Sequence, residues 1–182
     1  MKKNKYSLFR IVDELGEEYN FKLKAVILNS LIGQYDHNFT KKILRIFSDD
    51  EDYEIRCFLI SIIGSVPLNA STVEEFLEKL VFDEEVEVRE RIAGSSDVSE
   101  EIYVKLADDE SLKVVKVLSE NRFITPHTIK MIYYNVFYKK DKEEYLSILR
   151  NLSRHPKTPF EILKELLKIE DDIIQLYLTK RD

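Results

Sequence analysis

The chain has 182 residues, 44% of them apolar and 34% charged, with a formal net charge of −6. At roughly 150 residues per domain this length fits a single domain spanning 1–182, and the apolar fraction excludes an intrinsically disordered chain. The single cysteine, Cys57, excludes a disulfide framework, a multi-thiolate zinc site and an iron–sulfur site built from this chain alone.

In chain order, the first segment, residues 1–10, carries lysines but no continuous apolar run, because Arg10 and Asp13 interrupt it. No signal peptide is expected there, and the longest apolar stretch, 58–68, is too short to span a bilayer. The expectation is a cytoplasmic protein without membrane contact. Apolar residues then recur at three- and four-residue steps, as in Phe21–Ile32, and no segment alternates with period two. An all-α fold follows, with about a dozen short helices at 6–15, 20–32, 38–47, 52–64, 72–82, 84–93, 99–107, 110–119, 126–138, 141–153, 159–168 and 170–179. Start signals support several of them. Thr72-Val73-Glu74-Glu75 and Thr158-Pro159-Phe160-Glu161 read as capping boxes, and Thr125-Pro126 pairs a capping threonine with proline at the first helical position. Gly33, Gly64 and Gly94 follow apolar pairs and read as helix stops.

The chain also repeats itself. Asp50-x-Asp52-x-x-Ile55-Arg56-x-x-Leu59-Ile60 returns as Asp83-x-Glu85-x-x-Val88-Arg89-x-x-Ile92-Ala93, and again as Asp109-x-Ser111-x-x-Val114-Val115-x-x-Leu118. The equivalent residues Ile55, Val88 and Val114 are 33 and 26 residues apart, and Thr125 and Thr158 are again 33 apart. Aligned by glycine instead, the steps are 31 and 30, so the register has two readings. Self-similarity at this period marks a solenoid, in which each helix pair buries its apolar face against its neighbours. These residues resemble the second helix of a HEAT repeat, and the shorter step, with Leu106-Ala107, Asn121 and Thr125-Pro126, is similar to the leucine-rich repeat variant. The resemblance is best over 49–126 and weaker over 1–48 and 141–179. It implies a right-handed α-α superhelix that binds other macromolecules. It also implies that Arg56 and Arg89 form a structural ladder, each reaching acidic residues of its own or the next repeat.

Little in the chain points to catalysis. His37, His127 and His155 are far apart and none has a ligand partner at helical spacing, so no metal site is expected. Cys57 sits on the most apolar helix and reads as a buried structural thiol. A phosphate-binding glycine loop, a serine elbow and a paired-carboxylate motif are all missing. The expectation is a protein that is not an enzyme and needs no cofactor. Tyr133, Tyr134, Phe137 and Tyr138, followed by Lys139 and Lys140, form the densest aromatic cluster. Helical spacing splits it into two faces, Tyr134 with Tyr138 and Tyr133 with Phe137, and one of them belongs in the core.

Charge is unevenly distributed. Residues 1–48 carry nine Lys/Arg against five Asp/Glu, 49–110 carry five against nineteen, and 111–182 carry fourteen against ten. The acids gather one repeat apart in 49–52, 83–87 and 108–110. Carboxylates there can cap the helices that follow, or present a recognition edge to a basic partner. Asp50, Glu51, Asp52, Glu84, Glu85, Glu87, Asp109 and Glu110 are the candidate partner-binding residues. The function expected is a helical-repeat interaction module for a protein partner, an inhibitor or immunity-type protein being one instance. The alternative is a HEAT-like DNA-glycosylase-type protein, which the net negative charge and separated basic ends argue against.

Overall fold

The computed structural model describes residues 37–63, 69–96, 98–138 and 143–180. Among them are ten helices and no strand: α1 (His37–Ser48), α2 (Tyr53–Ile63), α3 (Ala70–Leu80), α4 (Val86–Ala93), α5 (Glu100–Ala107), α6 (Leu112–Glu120), α7 (Pro126–Phe137), α8 (Glu143–Arg154), α9 (Phe160–Leu166) and α10 (Asp172–Thr179). Each coincides with an expected helix to within two residues at both ends. The expected helices at 6–15 and 20–32, with Gly33, Gly64 and Lys139-Lys140, lie outside the described residues. None of the described helices is long and apolar enough to cross a membrane.

Two helix starts differ from the expectation. Asn69 caps α3 by accepting from the Thr72 amide at 2.9 Å, so the helix begins before the threonine and Thr72 is buried in its first turn. Glu75 is then free of capping duty and pairs with Lys41 and Arg45 of α1. At α9 the Thr158 hydroxyl turns inward and donates to the Leu152 carbonyl at 2.6 Å, and Pro159 occupies the cap position without a side-chain bond. A hydroxyl near a buried helix end meets two demands, and here a carbonyl in the last turn of α8 takes it. Thr125 does cap α7 as expected, with Pro126 behind it.

The chain forms two compact units, Met1–Arg91 and Ile92–Asp182. In the first, α1 packs on both α2 and α3. In the second, α5 packs on α6 and α7, α6 on α7 and α8, and α8 on α7, α9 and α10. The apolar positions that define the sequence repeat are the ones removed from water: Ile55, Val88 and Val114 are each 0% exposed, as are Leu59, Ile92 and Leu118 one turn later.

One turn recurs after α1, α3, α5, α6 and α8. At each, a side-chain acceptor one to three residues beyond the helix takes the backbone amide two residues further on. The pairs are Asp50 with Asp52, Asp83 with Glu85, Asp109 with Ser111, Asn121 with Phe123 and His155 with Lys157, at 2.8–3.2 Å. Such Asx-type bonds stop the helix and aim the chain into the next one. Asn121 and His155, 34 residues apart, form a second series of such turns, following α6 and α8 where the three aspartates precede α2, α4 and α6; the sequence pattern did not disclose it. Ser119 and Ser153 occupy equivalent positions before them, each donating to the carbonyl three residues back.

The turns are then tied to one another. In the first unit Arg56 donates Nε and Nη2 to the two carboxylate oxygens of Asp83 at 2.7 and 2.8 Å, and Nη1 to the carbonyls of Asp50 and Glu51. Arg89 repeats the second half, with Nη1 on the carbonyls of Asp83 and Glu84 at 2.7 and 3.2 Å. In the second unit the Asn121 amide donates to the Ala93 and Ser95 carbonyls, both at 2.8 Å, and His155 Nε2 bonds the Asn121 carbonyl at 3.2 Å. Because His155 Nδ1 accepts the Lys157 amide, Nε2 carries the proton and donates it. No buried side-chain polar atom among the described residues lacks a partner.

Two outcomes follow. Arg56 and Asp83 side chains are 8% and 7% exposed, so removing one leaves a charge uncompensated in the interior. Asp83→Ala is expected to cost about 3–5 kcal/mol in urea unfolding, whereas Glu84→Ala stays within about 0.5 kcal/mol. In the second unit, Arg150 holds the carboxyl of Asp171 below its ordinary range, chiefly by a direct hydrogen bond. A carboxylate so depressed stabilises the fold fully above its unfolded pKa and loses that contribution as pH falls through the lower folded value. Unfolding measured from pH 6 down to about 2 should therefore fall less steeply in Asp171→Asn than in the wild type below about pH 4.

Candidate functional site

The turns after α1 and α3 border an open groove of about 450 Å³ in the first unit. Residues Ser48 to Glu51 form one wall and Phe82 to Glu84 the other, with Arg56, Lys79 and Leu80 between them. The wall residues are where they are because Asp50 and Asp83 each fold their loop back on its own amides. Arg56 then clamps the two loops, bonding the Asp50 carbonyl on one side and the Asp83 carboxylate on the other.

Five carboxylates and two cations line this groove, and the charges do not cancel. Arg56 is committed to Asp83, and Lys79 to Asp49. Glu51 and Glu84 lend only their backbone carbonyls to the arginine ladder, so their exposed carboxylates are left facing solvent. Phe82, 71% exposed, gives the rim an apolar element that the charge pattern did not disclose. A surface of this kind attracts cations over the groove and offers an aromatic ring beside them.

The structure separates the candidate residues by role. Asp50 is buried and spends its carboxylate on the Asp52 amide. Asp52 accepts from the Glu54 amide at 3.0 Å at the start of α2. Asp109 accepts from the Ser111 amide. These three aspartates therefore build turns and helix starts. Glu51 and Glu84 border the groove with exposed carboxylates. Glu85 and Glu87 lie at the beginning of α4 and are not among the groove residues, while Asp109 and Glu110 belong to the second unit.

The other reactive groups are accounted for by packing. Cys57 is buried on α2, and burial pushes its thiol pKa up, the direction that suppresses thiolate chemistry. Tyr133 is 2% exposed and packs on Phe137 with centroids 4.8 Å apart, while Tyr134 and Tyr138 point outward. The aromatic cluster is thus split as its spacing required. Burial raises the Tyr133 hydroxyl pKa. His127 is exposed in the first turn of α7. No group of His, Cys, Asp and Glu among the described residues is arranged to hold a metal ion.

Compared with protein families, curated proteins and solved structures, the chain matches none.

The burial of Cys57 has a direct readout. In the folded protein a thiol-specific aromatic disulfide reagent should label it at least about tenfold more slowly than in urea, because the raised pKa and the closed surroundings both withhold the thiolate.

Proposed function

We propose that the chain is a non-catalytic helical-repeat module that binds a protein partner, taking a basic segment of that partner into the groove between the turns after α1 and α3. The observation that carries this reading is the surplus of carboxylate in the groove. Its two cations are already engaged in ion pairs, and Glu51 and Glu84 stand exposed beside Phe82. Lysine or arginine side chains of a partner supply the missing countercharge, and an apolar residue between them covers the ring. Electrostatic complementarity of this kind sets partner choice and association rate.

The repeat architecture supports the same reading. Neighbour-to-neighbour helix packing within each unit, together with identical turns at repeat spacing, agrees with a HEAT-like solenoid, whose successive loops give an extended binding edge. On this reading Glu85 and Glu87 are outer acids of the first unit's edge, and the protein works in the cytoplasm as an inhibitor or immunity-type regulator.

The test reverses charge without touching the fold. Glu51 and Glu84 use only their backbones internally, so Glu51→Lys/Glu84→Lys should keep its helical circular dichroism and urea midpoint. Immobilised wild-type protein should retain a basic protein from lysate of the source cells and release it between low and moderate salt. The double variant should bind that protein at least tenfold more weakly, about 1.4 kcal/mol. Equal retention by both, or retention of duplex DNA in place of a protein, overturns the reading.

A further inference from the structure

The second unit carries a surface of opposite chemistry. On α7, Tyr134 and Tyr138 stand one turn apart, 56% and 86% exposed, with Lys130 a turn before them. On α9, Phe160 is 68% exposed with the Lys164 ammonium 4.6 Å from its ring centroid, and Leu167 just beyond the helix is 53% exposed. An ion pair of 2.5 Å between Lys130 and Glu161 joins the two strips. The turn after α6 borders the same region, because Lys157, three residues before Phe160, donates to the carbonyls of Phe123 and Ile124, both at 3.1 Å. Phe123 is 48% exposed, and the Arg122 guanidinium lies 5.5 Å from its ring centroid.

The charge on this face is a surplus of cations. Lys130 is neutralised by Glu161, and Lys168 by Glu165. Arg122, Lys157 and Lys164 take part in no ion pair among the described residues, and each stands beside an exposed ring or the loop that carries one. Single exposed apolar side chains are ordinary, but several aromatic rings interleaved with uncompensated cations are the composition of an interface.

We propose that this face of the second unit docks an acidic peptide segment bearing apolar side chains, in a partner protein bound independently of the groove. Carboxylates of the segment pair with Arg122, Lys157 and Lys164 at the edges. Its aromatic or leucine side chains cover Phe160, Tyr134 and Tyr138. A polypeptide fits better than a nucleic acid because Lys164 and Arg122 already lie over the faces of Phe160 and Phe123, where bases would have to stack. The cations that cover the rings still have their outer sides available to carboxylates.

A displayed library of random peptides about 12 residues long, selected on the intact protein and counter-selected on Phe160→Ala/Lys164→Glu, reads the surface directly. The enriched sequences are expected to carry net negative charge and at least one aromatic residue or leucine. The best of them, synthesised and followed by fluorescence anisotropy, should bind Phe160→Ala/Lys164→Glu and Tyr134→Ala at least about tenfold and threefold more weakly than the wild type. It should bind Glu51→Lys/Glu84→Lys within about twofold of the wild type, which separates this surface from the groove. All substituted side chains are exposed, so unchanged circular dichroism accompanies each result. Absence of enrichment, enrichment of neutral or basic sequences, or oligo-deoxythymidine binding that needs Phe160 and Lys164 overturns the proposal.

Discussion

The connections of this fold hang on a side-chain acceptor placed one to three residues beyond a helix end. A helix leaves its last carbonyls and the amides of the following turn without intrahelical partners, and short helices in series face that problem at every connection. Asp50, Asp83, Asp109, Asn121 and His155 answer it in the same way, by taking the amide two residues on. The chemistry of the acceptor then decides how one turn is held to the next. A carboxylate takes an arginine, as Asp83 takes Arg56; an amide or an imidazole also donates, as Asn121 and His155 do to carbonyls of other turns.

That difference bears on the charge of the two halves. In the first two copies, whose turns are built on Asp50 and Asp83, Arg56 and Arg89 occupy equivalent places on the following helices and clamp the loops. In the third, Asp109 makes the same turn but the buried Val115 stands at the arginine site. The ties made by Asn121 and His155 are neutral. Much of the acidic character of 49–110 is therefore the by-product of one way of making a corner.

The repeat was legible because the same positions are buried in each copy, and burial imposes apolar residues at fixed spacing: Ile55, Val88 and Val114 could be aligned by eye. The arginine ladder was legible through the resemblance to HEAT-like repeats. The fourth copy, with Ile148 and Leu152 buried at the places of Val114 and Leu118, was hidden because Glu143 and Leu149 stand where the first copies have the turn aspartate and the arginine. Thr72 and Thr158 misled for a related reason. A hydroxyl near a helix start has the composition of a cap, but Asn69 reached the α3 amide first and the Leu152 carbonyl claimed Thr158. Of the site, the acids were visible and their division of labour was not, since Asp50 and Glu51 are adjacent in sequence and opposite in role. Phe82 gave no signal, because one exposed ring among apolar residues has no pattern of its own.

Charge informs about partners only after the internal uses have been removed. Asp50, Asp52, Asp83 and Asp109 disappear from the ledger as turn and helix-start acceptors, with Arg56 and Arg89 as their ties, and Asp49 disappears with Lys79. At the groove of the first unit Glu51 and Glu84 survive, beside Phe82. On the α7–α9 face of the second, Lys130 and Lys168 disappear into ion pairs, and Arg122, Lys157 and Lys164 survive, beside Phe123 and Phe160. Each of these two surfaces thus keeps charges of one sign next to exposed aromatic rings. An exposed charge contributes little to stability, so the fold does not require these residues to share a sign or to stand beside rings. On the proposed reading, a binding surface in each unit accounts for both features.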